Sequence, residues 1–303
     1  MILCIGSAAD DTFCHTLAAF NKSNIKVDTL DIGQFSLSGE LLIPVHDLKN
    51  ATLTIHEKTY HLNDYWGVWI RLVEIAEAAP SKLFKQKSAG LQIALNRLFS
   101  NISLPVINPP IRDASNSSKL FHAVSLSTIA GWQIPRSCLT NQESQALSFI
   151  DSCNEQVIFK GASSRKTWAT LYRKEIHTAH LCALQSAPVL FQERINGPDV
   201  RVHAVGDQLF AESIESDDLD YRISKDNHYK SISLPDDIAK GCRLLCMSCN
   251  IPFLGIDFKI NRATGEWFFL EANTMPCYQG YDRRANGAIS RAIIEWLICN
   301  RNS

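Results

Sequence analysis

The sequence holds no apolar run of about 18 residues, so no segment suggests a membrane-spanning helix. The opening MILCIGSAADDTF breaks its apolar stretch early and meets acids at once, so it does not resemble a signal peptide. Charge of one sign is lacking too. Thirty Lys+Arg stand against 31 Asp+Glu, a formal balance of −1 that offers no broad footprint for DNA or RNA. The ten cysteines form no paired framework, so reduced thiols in a cytoplasmic protein are expected. The first strand–helix turn carries one glycine, not the G-x-G-x-x-G of a dinucleotide site. There is no G-x-S-x-G element, no paired Cys–His signature, and no ligand spacing among His122, His177, His180 and His203. Internal repeats and low-complexity tracts are likewise missing.

What is present is ordinary globular material: 46% hydrophobic and 20% charged residues over 303 positions, enough for two or three lobes. Residues 1–32 read strand–loop–helix–strand, the opening of a parallel α/β lobe. Strands within 41–45 and 51–60 suggest a hairpin, 67–72 a buried strand and 80–100 a helix. Arg71 on that strand is either structural, at a lobe interface, or in touch with substrate. The run PVINPP at 105–110 marks a lobe boundary, giving a first domain of residues 1–112. Residues 113–187 read as an α+β lobe: a helix over 115–130 with Asn116 as cap, strands at 134–139, 157–160 and 171–176, and helices at 142–152 and 177–184. Residues 188–303 form a third lobe, starting with a strand at 189–195. A hairpin turning at Gly206–Asp207, a charged loop at 217–227, a helix at 236–249 and a last helix over 285–299 follow.

Residues 255–273, GIDFKINRATGEWFFLEAN, read as a β-hairpin. Leu254, Ile256, Phe258 and Ile260 alternate on one arm; Phe268, Leu270 and Ala272 alternate on the other. A register symmetric about Thr264 sets Asp257 opposite or nearly opposite Glu271, with Asn273 on the same face. Facing carboxylates repel, and among aromatics they are costly to ionise unless a cation lies between them. Oxygen donors of this kind suit Mg²⁺, with Mn²⁺ as an alternative. The residues alone leave two readings open, a metal site and a surface hairpin with scattered acids.

Lys160 ends an apolar strand before the small-residue loop GASSRK at 161–166, where an ammonium and backbone N–H groups could hold phosphate oxygens or the lysine could simply snorkel. Cys242, Cys246 and Cys249 are spaced C-x₃-C-x₂-C, an iron–sulfur spacing, but inside a run of helical periodicity, where they read as packing residues.

The pattern D-F-x-I…G-x-x-x-F-L-E-x-N resembles the metal-binding end of ATP-grasp ligases, above all RimK-type glutamate ligases and peptide maturases of the microviridin kind. The resemblance spans most of residues 110–290, with the motifs in the family's order. It implies an ATP-grasp fold, an N-terminal α/β lobe followed by two α+β lobes clasping Mg-ATP. It further implies that Asp257, Glu271 and Asn273 hold Mg²⁺ and that Lys119 and Lys160 contact ATP phosphates. In FQERI, Gln192 and Glu193 would bound the adenine pocket, backbone groups of Glu193 and Ile195 would read the base, and Glu193 or Asp199 would accept from ribose. Arg201 and Arg222 resemble arginines that meet phosphate or an acyl phosphate, although Arg201 could instead pair with Asp199 along its strand. The activity implied is ADP-forming ligation of a carboxylate on a peptide or amino acid to an amine or hydroxyl, with a precursor peptide as one candidate partner. A phosphotransferase acting on a small-molecule hydroxyl and a non-catalytic nucleotide-binding module are the alternatives. The loop at 161–166 is poorer in glycine than RimK-type loops, and the tail TMPCYQGYDRR is idiosyncratic, so the substrate is expected to differ. Arg283 and Arg284 in that tail could bind an acidic acceptor or face solvent.

Overall fold

A computed structural model describes residues 1–72, 81–110, 119–161, 169–219, 221–224 and 226–301, with the side chains of 119–121 outside that description. The boundary at 112/113, the Asn116 cap and most of the 161–166 loop fall outside the described residues.

The first lobe is built on a parallel sheet in which β2 (Val27–Asp31), β1 (Ile2–Gly6), β6 (Gly67–Ile70) and β7 (Val106–Ile107) lie in that order. Every residue of β1 and β6 is buried, as expected of parallel strands covered on both faces. Helix α1 (Asp11–Lys22) begins where Asp10 Oδ1 accepts from the N–H groups of Thr12 and Phe13, at 2.8 and 3.0 Å. Helices α2 (Ile32–Ser38) and α3 (Lys82–Asn101) complete the lobe. A small antiparallel sheet of β3 (Glu40–Leu42), β4 (Thr52–Ile55) and β5 (Lys58–His61) packs beside them. The pairing expected between 41–45 and 51–60 forms as β3–β4, and the second segment also folds back in a tight β4–β5 hairpin, with His56 at φ +53°.

The second sheet is antiparallel, in the order β10 (Thr170–Leu171), β9 (Val157–Gly161), β11 (Val189–Glu193), β8 (Ser137–Thr140), with α5 (Glu143–Ser152) on its outer face. The strand expected to open the third lobe, β11, therefore lies inside this sheet, between β9 and β8. The strand expected over 171–176 stops at Leu171. His177 Nδ1 accepts from Arg173 N–H at 2.8 Å and Thr178 Oγ1 donates to Lys174 O at 2.8 Å, closing α6 (Lys174–His177) and the 3₁₀ turns after it.

The third sheet runs β14 (His228–Ser231), β13 (Gln208–Glu215), β12 (Asp199–Val205), β15 (Phe253–Ile260), β16 (Trp267–Asn273). One face buries Val200, Val202, Ile256, Phe258, Phe269 and Ala272 against α7 (Asp236–Cys249) and α4 (Lys119–Ala130). Helix α4, expected to belong to the central lobe, thus packs on the third sheet through Ala123 and Leu126. Cys242 and Cys246, one helical turn apart on α7, lie in this core; burial drives both thiols up, Cys246 to about 12. They are packing residues. After α8 (Gln279–Arg284), helix α9 (Ala288–Cys299) sets Ile289, Ala292, Ile293 and Leu297 against Ile2, Cys4 and Trp69, joining the first lobe to the third. Among the described residues no helix is long and apolar enough to cross a membrane.

Candidate active site

The β15–β16 hairpin turns because Asn261 Oδ1 accepts from Ala263 N–H at 2.9 Å while Gly265 takes φ +74°, a conformation a side chain would strain. Near the turn the register is Phe258↔Phe269 and Ile260↔Trp267; beyond it comes Asp257↔Glu271. One extra residue, Leu270, is accommodated between these pairs as a β-bulge. This corrects the alternation read on the second arm. Trp267, Phe269 and Ala272 join the core of α7 and α4, whereas Leu270 lines a cleft on the other face. The bulge is what lets aromatics near the turn point into the core while Glu271 sits opposite Asp257.

Cross-strand pairing then sets out a row of charges over the sheet. Glu212 on β13 faces Arg201 on β12, Arg201 faces Asp257, and Asp257 faces Glu271. At one end Arg284 grips Glu212 with Nη2 and Nε at 2.7 and 2.9 Å from Oε2, and its guanidinium lies 3.8 Å over the Tyr229 ring. Arg201, 6% exposed, donates from Nη1 to Asp257 Oδ2 at 2.7 Å. At the other end two carboxylates adjoin, and among the described residues Asp257 Oδ1 is buried with no hydrogen-bond partner. Burial lifts the Asp257 carboxyl above its ordinary range; Arg201 pulls it back, and Glu271 lifts it again. The row thus ends in two adjoining carboxylates, one with a buried oxygen, an arrangement a divalent cation would relieve. Among the described residues no three His, Cys, Asp or Glu side chains form a metal cage. A two-carboxylate site of this kind suits Mg²⁺, which keeps waters and draws on substrate phosphates.

Gly255 makes the row fit. A Cβ there would stand 2.1 Å from Arg201 Nη2 and 2.7 Å from Pro276 Cβ. Arg201 was expected either on phosphate or paired with Asp199. Its carboxylate partner is Asp257 rather than Asp199; its Nε stands 3.4 Å from His203 Nε2, and burial and Arg201 push His203 well below its usual range. His203 is a neutral structural residue. Asn273 faces Gly255, on the side of the sheet that carries Glu271, and its Oδ1 accepts from Met275 N–H at 2.9 Å. From the first lobe Asn108 clamps the hairpin base, its Oδ1 accepting from Phe253 N–H at 2.9 Å and its Nδ2 donating to Phe253 O. Arg71 is a second tie. It holds Asp10 Oδ2 at 3.0 Å and donates to the carbonyls of Met275 and Pro276.

The cleft lies between this face and the inner face of the second sheet. Alternation on β9 and β11 sends Val157, Phe159 and Phe191 into the lobe core, and Ile158, Lys160, Leu190 and Gln192 to the cleft. Lys160 thus lines one side, and Asp257, Glu271 and Arg222 line the other. At one end Gln192, Glu193, Ile195 and Asp199 gather beside Ile134, Pro135 and Phe269. Glu193 is tied up in two ways: its N–H donates to Arg136 O at 2.9 Å, and its carboxylate meets the Arg136 guanidinium. Lys119 is the first residue of α4; its side chain is not described. Arg284, held by Glu212 and its rings, is a structural residue.

Two cleft residues had not been singled out from sequence. Tyr221, next to Arg222, has its hydroxyl 3.3 Å from Tyr281 on α8. Lys259 lies two residues from Asp257 and so on the same strand face, a signal readable once the strand is recognised.

No protein-family model and no curated protein matches the chain. Solved structures do match, and they define the fold as ATP-grasp. The chain is similar to macrocyclase MdnC of Microcystis aeruginosa MRC, bound with its precursor peptide MdnA, with a TM-score of 0.82 and 19% identity over 98% of this chain and 99% of that one. It is also similar to a RiPP-associated ATP-grasp ligase of Chryseobacterium gregarium, in complex with ADP and a leader and core peptide. There the TM-score is 0.82 and the identity 21%, over 100% and 97% of the two chains. A RimK domain ATP-grasp protein of Sphaerobacter thermophilus is similar at TM-score 0.60 and 11% identity, over 97% and 98%.

Proposed function

We propose that this chain is an ADP-forming ligase that activates a carboxylate on a peptide and joins it to an amine or hydroxyl. The observation that carries the reading is the facing of Asp257 and Glu271 across the ladder, set across a cleft from Lys160 with Arg222 alongside. The neighbours bound to peptides and to ADP support peptide and nucleotide as its ligands.

Asp257 and Glu271 would hold Mg²⁺, or Mn²⁺ on the same oxygen donors, with Asn273 as a third donor beside them. The cation supplies charge neutralisation and alignment of the phosphates. A substrate carboxylate oxygen attacks the γ-phosphorus of ATP, and the bond to the β–γ bridging oxygen breaks to release ADP. The amine or hydroxyl then attacks the acyl-phosphate carbon. Phosphate leaves, and the proton of the attacking group passes to solvent. Lys160 and Arg222, with Lys119 at the start of α4, would neutralise charge on the transferring group. The acyl-phosphate route needs no side-chain nucleophile, so positioning and electrostatics would supply most of the rate.

Adenine would lie by Gln192, read by the carbonyl of Glu193 and the N–H of Ile195. With Glu193 turned to Arg136, Asp199, held by Lys259 in the same cleft, would accept from ribose. The first lobe, residues 1–112, would face the acceptor. Ten unbridged cysteines fit a reducing, cytoplasmic setting.

The test is ADP release with Mg-ATP across acidic and lysine-, serine- or threonine-containing peptides, with hydroxylamine added. A hydroxamate marks an acyl phosphate and supports ligation. ADP and a phosphorylated acceptor without hydroxamate would mark a phosphotransferase and overturn it.

A further inference from the structure

Lys259 fills an unspecified position of the hairpin pattern and lies on the face of the third sheet that carries the site. Its partner is Asp199, directly opposite on β12. Lys259 Nζ stands 2.9 Å from Asp199 Oδ2, and the two side chains are 15% and 14% exposed. Both line the cleft, one ladder step from Arg201↔Asp257 along the strands. A pair this sheltered is screened far less than a surface ion pair. An ammonium that reaches straight across a ladder also fixes the direction of its partner carboxylate. The second acid at this end, Glu193, is turned to Arg136.

We infer that Lys259 is a positioning residue. By holding one oxygen of Asp199, it aims the carboxylate at the hydroxyls of a ribonucleotide and makes the cleft select ribose over 2′-deoxyribose. The inference rests on the ligase reading, since it needs the nucleotide in this cleft. It goes beyond that reading by assigning sugar selectivity to a residue the family pattern leaves unspecified, and it predicts a loss in binding rather than in the chemical step.

The experiment is calorimetric titration of the full chain with Mg-ADP and Mg-2′-deoxyADP, for the wild type, Lys259→Met, Lys259→Arg and Asp199→Asn. Thermal melts establish that each variant is folded. The wild type should favour ADP by about tenfold, the scale of one hydrogen bond to a charged group. Lys259→Met should bring that ratio near unity by weakening ADP alone. Asp199→Asn, which keeps the lysine, should do the same, and Lys259→Arg should retain most of the preference. An equal loss for both nucleotides in Lys259→Met would place the lysine on phosphate and overturn the inference, as would an unchanged ratio or a wild type without preference. A wild type that binds neither nucleotide would overturn the ligase reading itself, which separates the two failures.

Discussion

Arg201 Nη1 donates to Asp257 Oδ2 at 2.7 Å from a guanidinium that is almost wholly buried. This bond occupies one oxygen of the carboxylate, and among the described residues the other, Oδ1, has no hydrogen-bond partner. Arginine and aspartate together thus make a half-satisfied acid that faces Glu271.

Removing the arginine should expose the imbalance. Arg201→Met leaves Asp257 and Glu271 side by side and only partly exposed, and is expected to cost about 3–5 kcal/mol of stability. Arg201→Met/Asp257→Asn should recover much of the loss, since both charges of the pair then go together. Urea denaturation of both variants is the check.

Gly255→Ala should act on the same pair without changing any charge. The added Cβ would meet Nη2 and Cζ of Arg201 at 2.1 and 2.6 Å, and Pro276 on the other side. The guanidinium has to leave Asp257 for the methyl group to fit. A loss of about 1–3 kcal/mol is expected, together with weaker binding of Mg-ADP, measured by melting with and without the ligand.

Glu271→Ala separates fold from chemistry. It relieves a carboxylate pair, so the melting temperature should hold or rise slightly. ADP release should fall by about 10²–10³-fold or more, read in a coupled assay.

The C-x₃-C-x₂-C run yields a further expectation. With Cys242 and Cys246 in the core of α7, elemental analysis of the purified protein should find no iron. Cys242→Ser should cost about 1–3 kcal/mol by burying a hydroxyl, with ADP release preserved.

The hairpin was legible because its signals are local: alternating apolar residues, an Asn…Gly turn, and acids placed symmetrically about Thr264. The bulge at Leu270 was not, because Phe268, Phe269 and Leu270 are all apolar and alternation cannot say which of them faces the core. Strand β14 was missed for the opposite reason. His228–Ser231 is exposed at every position and has no apolar period, so only its bonding to β13 makes it a strand. The partner of Arg201 was hidden by register. Asp199 is near in sequence, but the β12–β15 ladder puts Asp257 opposite. Helix α4 and strand β11 crossed the expected lobe limits because sheet membership is set by long-range pairing, which spacing does not record.

The central claim is that Asp257 and Glu271 jointly hold the cation that carries the nucleotide. A crystal structure with Mg²⁺ and a non-hydrolysable ATP analogue tests it most directly. The account predicts metal density about 2.0–2.1 Å from Asp257 Oδ1 and from an oxygen of Glu271, bridged to the phosphates. Nucleotide bound elsewhere, or bound in the cleft with neither carboxylate touching the metal, would contradict it.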